Sequence, residues 1–98
     1  TSANQEDHVS MGLAAARKAR RAVGCLERVL ATELMCAAEG LEYRRPLRSG
    51  AHVETAWSRV RDEVPRLDGD RALGTDLDAL TELVRSGTFN DIAQDARR

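Results

Sequence analysis

Apolar side chains recur along the first part of the chain at Ala15, Ala19, Ala22/Val23, Leu26, Val29/Leu30, Leu34, Ala37/Ala38 and Leu41. Spacings of three and four residues place them on one face of a helix, and the spacing predicts a single long helix over 9–42. Alanine, leucine, arginine and glutamate fill it, and only Gly12 and Gly24 weaken its interior. Asp7 or Ser10 is the expected cap at its start. Gly40 and Pro46 bound its far end, because proline pushes the preceding residue out of the helical region.

Shorter helices are expected over 43–98. Val53, Trp57, Val60 and Val64 define a second helix from about Gly50 to Val64, stopped by Pro65, and Leu67-Asp68-Gly69-Asp70 forms a turn. Thr75 with Asp78 reads as a capping box for a third helix bearing Leu77, Leu80 and Val84, which Ser86-Gly87 ends. Thr88 with Asp91 repeats that signal before a short last helix holding Phe89 and Ile92. No segment alternates with period two, so the fold class is all-α: one long helix, then three shorter ones.

Size changes this picture. A helix of ~33 residues is ~50 Å long, whereas a compact chain of this length is only ~33 Å across. Of 98 residues, 42% are hydrophobic, but 15 are alanine and only Tyr43, Trp57 and Phe89 are aromatic, so the core is thin. The long apolar stripe therefore suits a segment of a larger helical bundle assembly, with self-association of the chain as its expected behaviour in isolation.

Charge excludes some partners. Fifteen basic against 16 acidic residues give a net charge of −1, which argues against nucleic acid, and no apolar run is long enough to span a membrane. Arg17, Lys18, Arg20 and Arg21 form one basic cluster and Arg44, Arg45 and Arg48 another, while 62–82 is acidic. Such clusters read as solvated faces or cross-chain ion pairs. Cys25 and Cys36 are ~16 Å apart on one helix, beyond disulfide reach. They read as buried reduced thiols without metal-ligand spacing. The start at Thr1 with no secretory leader fits a cytoplasmic protein or a piece of one.

The densest polar constellation is Asn4-Gln5-Glu6-Asp7-His8 at the entry to the long helix. Residue types alone leave three readings open there: a helix cap, a weak metal site, and an acid/base site on Glu6. Thr1-Ser2-Ala3-Asn4-Gln5-Glu6-Asp7-His8-Val9-Ser10-Met11-Gly12 resembles the active-site segment of the aromatic amino acid ammonia-lyases. Ala14-Ala15-Ala16-Arg17-Lys18, Arg28 to Leu34, Arg44-Arg45-Pro46-Leu47-Arg48 and Val84-Arg85-Ser86-Gly87 resemble later stretches of that family's C-terminal region, in the same order.

This resemblance implies that residues 1–98 are the C-terminal helical segment of such an enzyme, with 1–8 as its active-site segment. It implies non-hydrolytic removal of ammonia from an α-amino acid and a homotetrameric parent. The family's electrophile is a methylidene-imidazolone group cyclised from Ala-Ser-Gly, a tripeptide absent here, so the chain alone is expected to be inactive and to hold no cofactor and no metal. Glu6 falls at the family position facing the substrate, where histidine-type members, which convert L-histidine to urocanate, carry glutamate. Gln5 aligns with a neighbouring pocket amide, Asn4 or Ser2 orients the segment, and His8 and Met11 are expected to pack. A tyrosine-type lyase or aminomutase of the same family, and a non-catalytic helical oligomerisation module, remain the alternatives.

Overall fold

A computed structural model describes residues 11–97. Four helices follow one another: α1 (Gly12–Glu42), α2 (Ala51–Glu63), α3 (Gly74–Arg85) and α4 (Asn90–Asp95). No strand occurs among the described residues, in agreement with the all-α expectation. α1 runs unbroken through Gly24 and Gly40, since seven turns of good helix formers outweigh two glycines. It spans ~45 Å, and the radius of gyration is 19.4 Å, against about 13 Å for a compact chain of this size. The molecule is elongated because its longest element exceeds what the others can cover.

The core lies at one end of α1. Ala31 and Ala38 are buried there with Val60 and Val64 of the α2 end and Leu80 of α3. Leu34, Met35, Trp57, Leu77, Leu83, Val84 and Phe89 pack around them. Alanine on α1 lets α3 approach closely, so Leu80 reaches complete burial. Two ion pairs cross that contact, Arg28 to Asp78 at 2.9 Å and Arg85 to Glu27 at 3.3 Å. By contrast, residues 11–23 are exposed along their whole length.

Several local expectations are corrected. Thr75 does not cap α3, which begins at Gly74 with Leu73 before it and no side-chain cap; Asp78 instead pairs with Arg28. Thr88 does not cap α4 either. Its hydroxyl lies 3.0 Å from that of Ser86, and Asp91 is held by Arg59 at 2.6 and 3.0 Å. In both cases a charge-assisted bond to arginine on another helix outcompetes a local carboxylate-to-backbone bond. Cys25 and Cys36 are free as expected but exposed rather than buried, because they lie on a flank of α1 that no other described element covers. Met11 is also exposed, not packed. The proposed caps Asp7 and Ser10 lie outside the described residues.

Candidate functional site

Every residue assigned to the site by resemblance precedes α1. Gln5 and Glu6, with Ser2, Asn4 and His8, lie outside the described residues; the element that presents them is α1, and what the described chain provides is its anchorage.

That anchorage is a polar network at the opposite end. Glu42, in the last turn of α1, accepts hydrogen bonds from Trp57 Nε1 at 3.1 Å and Arg61 Nε at 3.0 Å. Arg61 Nη2 also donates to Glu39 at 3.1 Å, and Glu39 accepts from the Leu67 backbone N–H at 2.7 Å. Two carboxylates one helical turn apart thus hold α2 and the segment after it. The Arg61 guanidinium keeps the Glu42 carboxyl below its ordinary range, outweighing the opposing effect of burial. Both Arg61 and Glu42 are nearly enclosed, so the pair is screened far less than a surface one.

A second clamp sets the loop between α1 and α2. Arg45 Nη1 and Nη2 donate to the two Glu54 carboxylate oxygens at 2.7 and 2.8 Å, and the Ser49 backbone N–H adds a third bond at 2.8 Å. Together they lower the Glu54 pKa to about 2, the Arg45 bond first among the causes. Arg45 therefore belongs to the framework, a role its place in a basic cluster did not reveal. Sequence reasoning missed it because its partners are nine and twelve residues away, across a turn whose path no periodicity specifies.

The other candidate chemistry is already committed. His52 Nε2 lies 2.8 Å from Asp95, both half-exposed, beside the Arg59–Asp91 pair. Among the described residues no group of three or more His, Cys, Asp or Glu side chains is placed to hold a metal. Tyr43 is exposed at the end of α1 remote from the candidate segment, ~45 Å from Gly12. Nor is any described helix long and apolar enough to cross a membrane. What the described surface does offer is apolar: one groove lined by Leu34, Leu41, Val53, Trp57 and Ile92, and another by Leu30, Leu34, Val84, Phe89 and Ala93.

Comparison with known proteins places this arrangement. The family model for aromatic amino acid lyase matches residues 1–62. Histidine ammonia-lyase of Symbiobacterium thermophilum is 52% identical over 87 residues, which are 89% of this chain and 17% of that protein. The corresponding enzyme of Natranaerobius thermophilus is 47% identical over the same shares. Among solved structures, histidine ammonia-lyase from Trypanosoma cruzi superposes with a TM-score of 0.86 at 45% identity, covering 97% of this chain and 19% of that one. The chain spans under a fifth of the length of these relatives.

Proposed function

Since the chain belongs to the aromatic amino acid lyase family, we propose that it is the C-terminal part of a histidine ammonia-lyase, contributing Glu6 to substrate binding and proton handling. In that reaction the Cα–N bond of L-histidine breaks and a Cβ proton is lost, giving urocanate and ammonium. A carboxylate at position 6 accepts charge-assisted hydrogen bonds from an imidazole or an ammonium group, and a phenyl ring offers it nothing comparable. Gln5 lines the pocket beside it.

The observation that carries this reading is glutamate at position 6, within a chain whose similarity to histidine ammonia-lyases runs along nearly its full length. These residues cannot form the methylidene-imidazolone electrophile. Ser49-Gly50 and Ser86-Gly87 each follow arginine, so no Ala-Ser-Gly occurs. Polypeptide beyond these 98 residues supplies that group, which activates the amino group for departure, and the 98-residue chain by itself is inactive. The parent is a cytoplasmic homotetramer with the long helix in its core.

The test is a lyase polypeptide that includes these residues together with the Ala-Ser-Gly segment, assayed with histidine by the ultraviolet absorbance of urocanate. Glu6→Gln lowers turnover by roughly 10²- to 10⁴-fold with helical content unchanged. Near-normal turnover removes Glu6 from the mechanism. Turnover of tyrosine without turnover of histidine replaces the histidine assignment by the tyrosine-type one.

A further inference from the structure

The apolar stripe of α1 divides into two unequal surroundings. From Leu30 onward it borders the groove of about 410 Å³ formed with Val84 and Phe89. From Ala15 to Leu26 it meets no other helix; Val23, Leu26 and Val29 are each more than half exposed. Both parts lie on one continuous face, because Ala15, Ala19, Val23, Leu26, Leu30 and Ala37 follow three- and four-residue steps or their sum. The exposed half is therefore a helical ridge, and the other half ends in a helical groove.

Charge separates the same way. Residues 12–26 carry Arg17, Lys18, Arg20 and Arg21 with no acid. Residues 27–97 carry fourteen carboxylates against ten arginines. None of the four early cations forms an ion pair with a described residue. The ridge is thus positive and the remainder of the molecule negative, so two copies attract when the ridge of each lies over the covered half of the other.

We infer that a second copy of this chain docks antiparallel along α1, centred near Leu30, with the Ala15–Leu26 ridge of each copy seated in the Leu30–Phe89 groove of its partner. This register sets Leu26 level with Leu34 of the other copy, Val23 level with Ala37, and Ala19 level with Leu41. Exposed side chains thereby meet the half-filled groove, and an isologous interface of this kind closes at two copies. The inference stands on the exposed face and the charge division of this chain, independently of the lyase reading.

The register has a direct readout in the thiols. Cys25 and Cys36 are free, exposed and nearly three helical turns apart on the same flank. Antiparallel pairing about Leu30 brings Cys25 of one copy level with Cys36 of the other, and keeps like cysteines ~16 Å apart along the axis. Light scattering of the 98-residue chain at low salt should give twice the 10.8 kDa monomer mass. A short bismaleimide should link wild-type copies covalently, and Cys25→Ser and Cys36→Ser should each lose that product. Leu26→Asp, at a site already exposed in the single chain, should return the mass to that of a monomer with helical content retained; raised salt should weaken the pair. A monomeric wild-type chain overturns the inference, as expected if only other lyase segments occupy this face. So does efficient linking of either single-cysteine variant, which indicates parallel pairing, or an unchanged dimer in Leu26→Asp.

Discussion

Arg45 lays its guanidinium over the Trp57 ring, 4.6 Å from the centroid. The same group forks the Glu54 carboxylate. A planar cation thus stacks on one residue of α2 while it bonds another one turn earlier, fixing how the chain turns back from α1. Lysine has the charge without the fork or the flat face. Arg45→Lys should therefore lower the melting temperature followed by circular dichroism, and Arg45→Ala should lower it further. Equal stability of Arg45→Lys and the parent chain would show that charge alone suffices.

Glu54 gives the fold a dependence on acid. Its folded pKa of about 2 lies below the ordinary 4.5, so the folded state binds this proton less readily than the unfolded chain. The resulting stability is fully present above pH 4.5 and is lost as pH falls towards 2. Urea midpoints measured across that window should decline, and Glu54→Gln should make the decline shallower while lowering stability near neutrality. An equally steep decline in the variant would assign the acid sensitivity to other carboxylates.

Leu80 is completely buried between the alanines of α1 and the valines of α2. Truncation to alanine removes contacts from a small core and should cost about 3 kcal/mol, read from chemical denaturation. Ala31→Leu tests the same contact from the other side, because overpacking there should cost about 2 kcal/mol. If both variants denature like the parent, α3 does not pack on α1 as described.

Gly87 turns the chain between α3 and α4 with φ +78, and a Cβ built there would sit 2.9 Å from Asn90 Nδ2. Side chains other than hydrogen resist that backbone region. Gly87→Ala should destabilise by about 1 kcal/mol, whereas Gly24→Ala, inside α1 with open space around it, should stabilise slightly. Reversal of that order, measured by thermal melting, would contradict the turn geometry.

Helix identity was legible in the sequence because periodicity reports a face directly: the expected 9–42 and 50–64 became Gly12–Glu42 and Ala51–Glu63. Capping was not legible. Asp78 and Asp91 carried a sound local signal, but their use was decided by Arg28 and Arg59, 50 and 32 residues away. Thiol exposure failed for a related reason, since a residue type indicates burial only if some element arrives to cover it. Of the candidate site, Gln5 and Glu6 were readable through resemblance alone, because consecutive polar residues at a helix entry serve capping and chemistry equally well. The Arg45 clamp was unreadable until Trp57 and Glu54 met it in space.

α1 is a cantilever. Its root, from Glu27 to Glu42, is gripped by Arg61, Trp57 and the α3 ion pairs, and its first half projects ~22 Å beyond them. Rotation of ~5° at the root displaces such a tip by ~2 Å, enough to disturb a reacting geometry. Substitutions beside Trp57 or Arg61 therefore act with leverage on whatever the tip carries, without touching it.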